Sequence, residues 1–105
     1  MPYPHLLLAV LYMGNEKCRG IFTVLNDKGL HTRPSTELVR CANNFRSCVT
    51  LTYRNMQVNA KSLLGILMFA AERGAKIVVE TEGSDARGAL DAILHLAKNN
   101  FHIKY

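Results

Sequence analysis

The segment Gly29-Leu30-His31-Thr32-Arg33-Pro34-Ser35 joins a strand pattern to an amphipathic helix pattern and places an imidazole at the joint. Before it, Ile21 to Asn26 is rich in β-formers and runs into the turn Asn26-Asp27-Lys28-Gly29, which predicts a strand with Phe22 and Val24 on one face. After it, Leu38, Val39, Ala42 and Phe45 recur at helical spacing, which predicts a helix from about Thr32 to Asn43. His31 therefore stands at a helix start. Such a position offers backbone N–H groups without intrahelical partners and about half a positive charge. Anions bind there readily. Pro34 is tolerated in the first turn because its missing N–H would lack an intrahelical partner anyway. Arg33 adds a forked donor matched to phosphate oxygens. A lone histidine before a helix is most often an ordinary cap or surface residue. Here the strand, the glycine turn, the arginine and the proline at fixed offsets argue for a histidine that carries a negatively charged group.

Composition sets the bounds. The chain has 105 residues, 49% apolar and 20% charged, enough for one domain with a modest core. Its net charge of +5 permits acidic protein or nucleic acid partners without choosing between them. The basic residues are scattered and no aromatic-interleaved basic motif occurs, so a nucleic-acid role has no support in the pattern. Three cysteines, Cys18, Cys41 and Cys48, form no C-x-x-C pair and fit reduced thiols in a cytoplasmic protein. Cys41 and Cys48 read as small buried hydrophobes. The histidines His5, His31, His95 and His102 show no zinc-ligand spacing, so neither metal nor cofactor is expected. His95 falls beside an apolar helical stripe and reads as a partly exposed structural residue. The apolar run Leu6 to Met13 is too short to span a bilayer as a helix and lacks the flanks of a signal peptide. No direct membrane insertion is expected. Residues 1–17 read as an extension of unknown role, with Met13 a candidate true start, and residues 18–105 as the domain.

The remaining elements follow in order. Cys48 to Tyr53 alternates, with Val49, Leu51 and Tyr53 on one face, and Arg54-Asn55 reads as a hairpin turn into a short strand, Met56 to Ala60. Ser62 to Ala71 has helix length and is apolar nearly throughout, with Gly74 as its expected terminator. Lys76 to Glu82 predicts a strand with Ile77 and Val79 inward. Gly83-Ser84-Asp85 opens a last helix to about Asn99, with Ala86, Leu90, Ile93, Leu94 and Ala97 as its stripe, continued by Phe101. The order β-α-β-β-α-β-α with half-polar strands predicts an α+β domain in which helices cover one face of an antiparallel sheet.

From about Cys18 onward the chain resembles HPr, the histidine phosphocarrier family of the bacterial sugar phosphotransferase system. The resemblance rests on Gly29-Leu30-His31-Thr32-Arg33-Pro34, on Val58-Asn59-Ala60-Lys61-Ser62-Leu63-Leu64-Gly65-Ile66, and on Gly74-Ala75 followed later by Glu82-Gly83-Ser84-Asp85-Ala86. It implies an open-faced β-sandwich, a four-stranded antiparallel sheet of order 1-4-2-3 covered on one face by three helices. It implies a phosphoryl group carried on Nδ1 of His31, with Thr32 and Arg33 beside it as phosphate-binding residues, and a regulatory phosphorylation at Ser62 by an HPr kinase/phosphorylase. It implies docking of enzyme I and IIA domains through Thr36, Arg40, Leu63, Leu64 and Leu67, with Thr32 beside them. The chain would then be a monomeric cytoplasmic relay without turnover of its own. The alternative is a regulatory module acting mainly through phosphorylated Ser62 on transcription or metabolism. Two departures stand out: the extension before Cys18, and the hairpin Arg54-Asn55-Met56-Gln57, which lacks the family's glycine and is expected to turn less tightly.

Overall fold

The computed structural model describes residues 16–103. Its elements are β1 (Glu16–Thr23), α1 (Thr32–Asn43), β2 (Cys48–Tyr53), β3 (Met56–Asn59), α2 (Leu63–Met68), β4 (Lys76–Gly83) and α3 (Ala86–Lys98), closed by a short 3-10 turn, Asn100–His102. The four strands form one sheet of order β1-β4-β2-β3, antiparallel throughout. Alternation decides the faces. Cys18, Phe22, Val49, Leu51, Ile77 and Val79 point inward and are buried. They meet Leu38 and Ala42 of α1, Ile66 of α2, and Ala86, Ala89, Leu90, Ile93, Leu96 and Ala97 of α3. On the other face Lys17 stands opposite Glu82 and Arg19 opposite Glu80, opposite charges directly across a strand pair. This is the expected open-faced sandwich.

The core closes at Phe101, whose fully buried ring meets Phe22 edge to face at 5.8 Å. The buried Thr81 Oγ1 donates to the Ala86 carbonyl at 2.8 Å. Before α3, Asp85 gathers three donors from the loop that enters β2. The Arg46 and Ser47 amides each lie 2.9 Å from its carboxylate, and the Ser47 hydroxyl also donates to it. The Ser47 hydroxyl above all, then the Arg46 amide, hold the Asp85 carboxyl below the usual carboxylate range. A depressed carboxyl stabilises the fold above its unfolded value of about 3.9 and loses that contribution as pH falls through the folded value. An Asp85→Asn chain is therefore expected to melt below the parent at pH 7, with the gap closing as pH drops toward the acid range. Thermal melts at a series of pH values check this, and a gap independent of pH would remove the linkage.

Several boundaries differ from the sequence reading. β1 starts at Glu16, so Glu16 and Lys17 of the expected extension are strand residues paired with Gly83 and Glu82. It also ends at Thr23, while Val24 is buried beyond it. The rest of the extension, including the apolar run and the candidate start at Met13, lies outside the described residues. β3 ends at Asn59, one residue short of Ala60. α2 ends at Met68, because Ala70 takes a positive φ of 48° and turns the chain away before Ala71. The hairpin between β2 and β3 is tight after all: Tyr53 pairs with Met56, and Arg54 itself takes the positive φ of 55°. Cys48 is exposed on the open face and Cys41 half-buried, so neither is the fully buried hydrophobe expected; Cys18 is the buried cysteine.

Candidate functional site

His31 is the N-cap of α1, with extended backbone (φ −78°, ψ −170°). Its carbonyl accepts the first helical bond from the Ser35 amide at 3.1 Å. Its ring makes no capping hydrogen bond and stays half-buried, with Nε2 shielded from solvent. The neighbouring backbone is held from several sides. The Leu30 amide donates to the Ala71 carbonyl at 2.9 Å, and the buried Ser35 hydroxyl donates to the Leu30 carbonyl at 3.0 Å. The Gly29 amide donates to Asn26 and the His31 amide to Gly29. Arg73 pairs with Asp27 at 2.8 Å on the outside of the same loop. The early end of α2 thus has a local role: turning at Ala70 presents the Ala71 carbonyl to the loop that carries His31.

Gly29 shows how closely these segments approach. Its φ is +71°, and a Cβ there would run into the Ala71 carbonyl oxygen. Gly29→Ala is expected to destabilise the fold by about 1–3 kcal/mol, the range for a side chain forced into a disfavoured, crowded backbone. Urea unfolding checks the loss. A neutral substitution would show that the loop shifts freely.

The electrostatics favour an uncharged ring. Burial lowers the His31 pKa from its ordinary value, and the positive charges of Lys28 and then Arg33 lower it further. Arg33 and Thr32 are both exposed. Along α1, Thr32, Arg33, Thr36, Glu37 and Arg40 line one shallow depression of about 280 Å³, so Arg33 and Arg40 do share a face.

Ser62 caps α2: its hydroxyl accepts from the Gly65 amide at 3.0 Å. The apolar surplus of α2 divides as its spacing dictates. Ile66 and Phe69 are buried, Leu63 and Leu67 half-buried, and Leu64 is 72% exposed. Met68, not singled out for docking in the sequence, is 62% exposed. It lies one turn beyond Leu64 on the same face, and that i, i+4 spacing was the signal available for it. Among the described residues no group of histidine, cysteine and acidic side chains could hold a metal ion, and no helix is long and apolar enough to cross a membrane.

The fold and this geometry define a class: a small α+β domain built around a helix-capping histidine flanked by cationic side chains. Residues 19–99 match the family described as "PTS HPr component phosphorylation site". The phosphocarrier protein HPr of Cupriavidus necator is 43% identical over 79 residues, 75% of this chain and 89% of that protein. The HPr of Xylella fastidiosa strain Temecula1 is 39% identical over 80 residues, 76% of this chain and 90% of that protein. Among solved structures, HPr-C-His from Thermoanaerobacter tengcongensis superposes with a TM-score of 0.80 at 30% identity, covering 84% of this chain and 99% of that one. HPr from Bacillus anthracis superposes at 0.72 with 35% identity, covering 75% and 94%. The chain belongs to the HPr family of phosphocarrier proteins of the phosphotransferase system.

Proposed function

We propose that the chain accepts a phosphoryl group on Nδ1 of His31 from phosphorylated enzyme I and passes it to IIA domains of sugar permeases. The observation that carries this reading is the His31 cap itself: a half-buried, predominantly neutral imidazole at a helix start, next to Arg33. The shielding of Nε2 supports Nδ1 as the nitrogen that reacts. In uptake the donor's bond to phosphorus breaks, its electron pair leaves with the donor atom, and the Nδ1 lone pair forms the new N–P bond; in the onward transfer that N–P bond breaks, its electron pair returns to Nδ1, and a lone pair of the acceptor's nucleophile forms the new bond to phosphorus. Thr32 and Arg33 stabilise the oxygens of the carried group. They do so moderately, as a relay must give up what it accepts. The partner supplies the remaining charge stabilisation of each step, because positioning and electrostatics dominate phosphoryl transfer. Each transfer leaves the chain in a state that only a second partner returns to the start, so in this scheme it acts as a relay rather than an enzyme.

Phosphorylation of Ser62 by an HPr kinase/phosphorylase is the proposed control. Thr36, Arg40, Leu63, Leu64 and Leu67 are the proposed docking residues, in a cytoplasmic monomer. Met68 joins them because it extends the Leu64 surface. A regulatory module working mainly through phosphorylated Ser62 is the second reading, favoured by the place of Ser62 as the α2 cap. Incubation with phosphoenolpyruvate and enzyme I separates the two. Acid-labile, base-stable label mapped to His31 by fragmentation supports the relay. A chain that takes no label from active enzyme I, yet is modified at Ser62 by the kinase, is the regulatory module.

A further inference from the structure

Ser35 is a polar side chain in an apolar place. It is fully buried, on the same side of α1 as the buried Pro34, Leu38 and Ala42. A buried hydroxyl is costly unless it is hydrogen-bonded, and alanine is the better helix former. The bond that Ser35 makes is also unusual for a helix. Thr36, one residue on, donates from its hydroxyl to the Thr32 carbonyl four residues back, the common pattern for a helical threonine. Ser35 reaches five residues back, past the helix start, to the Leu30 carbonyl at 3.0 Å. Pro34 explains the longer reach. The usual helical donor to a carbonyl is the amide four residues on, and at that distance from Leu30 stands a proline, which has no N–H. The serine hydroxyl supplies the donor that the proline lacks.

The consequence falls on His31. Two peptide groups flank its Cα and set its φ of −78° and ψ of −170°. The preceding group carries the Leu30 carbonyl, bonded to Ser35 Oγ, and the His31 amide, which donates to the Gly29 carbonyl at 2.9 Å. The following group carries the His31 carbonyl, which accepts from the Ser35 amide at 3.1 Å. One residue thus holds both groups, with its hydroxyl on one side and its amide on the other. Together they fix the Cα–Cβ direction along which the imidazole projects. We infer that Ser35 is a positioning residue for phosphoryl transfer, its hydroxyl aiming the His31 ring by pinning the peptide group before it. Its effect is exerted through His31, because a fully buried side chain is closed to a docking partner. The inference rests on the phosphocarrier reading and adds the group that orients its nucleophile. Transfer is sensitive to such aim: a displacement of about 1 Å costs on the order of a hundredfold.

Ser35→Ala and Ser35→Cys variants of the full chain, given pre-phosphorylated enzyme I, test it. The half-saturating chain concentration is expected to stay the same, since no exposed residue changes, while the maximal rate of uptake falls about tenfold in Ser35→Ala. The loss is smaller than a hundredfold because the Ser35 amide still holds the second group. Ser35→Cys, close in shape and with a weak S–H donor, is expected to fall between alanine and the parent. The three-bond coupling between the amide and α protons of His31 reads its φ without any transfer. It is expected to move in Ser35→Ala and to move less in Ser35→Cys, an order that loss of stability alone does not produce. Rates are compared below the onset of melting of every chain, and Ser35→Cys against the parent decides the matter should the alanine chain not fold. An undiminished maximal rate, a loss confined to half-saturation, or an unmoved His31 coupling overturns the inference. A parent chain that takes no label removes the phosphocarrier reading and the inference with it, whereas a labelled parent beside an equally fast Ser35→Ala chain removes the inference alone.

Discussion

A His31→Ala chain is expected to take no acid-labile label from phosphorylated enzyme I while keeping its fold. The loss is complete because the nucleophile is gone. Retention of the fold follows from what His31 does not do. Its ring makes no capping hydrogen bond, so alanine forfeits less than the roughly 1 kcal/mol usual for losing an N-cap side chain. Alanine also adopts the extended backbone found there without strain. His31→Asn, which restores a good cap but no nucleophile, serves as the second variant and is expected to be equally inert. Label persisting in either variant would move the phosphoryl site to another residue.

The same residue sets a pH dependence whose sign is fixed. Burial, Lys28 and Arg33 all push its pKa below about 6.5, so the attacking lone pair is available throughout the neutral range. Uptake of phosphoryl is expected to be flat above that value and to fall as pH drops through the lower folded one. Stability follows the same direction: the contribution from a histidine held neutral is present above its unfolded value and fades on acidification. An NMR titration of the His31 ring reads the midpoint directly. A midpoint at or above the ordinary histidine value would falsify the electrostatic account of the site.

The residues that made the sequence legible were those whose local rule and tertiary role coincide. Pro34 and the stripe Leu38, Val39 and Ala42 fixed α1, and the structure has the helix at those bounds. β2 alternates because one face meets the core and the other meets water. Where the two levels part, the reading failed. Gly20 sits in β1 with Leu90 and Leu94 of α3 at 3.1 and 3.0 Å from where its Cβ would be, so the strand is packed closely there by lacking a side chain. Hydrophobic alternation is silent at such a position, and the strand's beginning was hidden. Ala70 at positive φ ends α2 inside an unbroken apolar run, and nothing about alanine announces it. The left-handed turn at Asn100–His102 is imposed by burial of Phe101 and the asparagine bonds, a long-range cause that no local pattern carries. Within the candidate site, the place of His31 at the start of α1 was legible from its motif. The Ala71 carbonyl and the Ser35 hydroxyl that hold Leu30 were not, because they act through backbone contacts formed only on folding.

Phosphorylation of Ser62 is expected to slow phosphoryl uptake from enzyme I by on the order of a hundredfold, within the range by which surface charge alters protein encounter. The effect is electrostatic rather than structural. The serine hydroxyl accepts from the Gly65 amide, and a phosphate ester keeps acceptor oxygens at the same helix start. The cap therefore survives and α2 is expected to stay folded, with circular dichroism unchanged. What changes is the surface beside the exposed Leu64 and Met68, which gains a charge of about −2. The adjacent Lys61 ammonium, whose Nζ donates to the Phe45 carbonyl at 2.8 Å, carries a single positive charge and so offsets only part of it. A partner whose contact surface is acidic, as the arginines of α1 call for, meets repulsion where it met an apolar patch. Salt discriminates this mechanism from a conformational one. Raising ionic strength shortens the reach of the phosphate charge to a few ångströms, so the gap between modified and unmodified chains should narrow steadily. Equal rates at low salt for the two forms, or a gap insensitive to salt, would leave the phosphate without the role assigned to it.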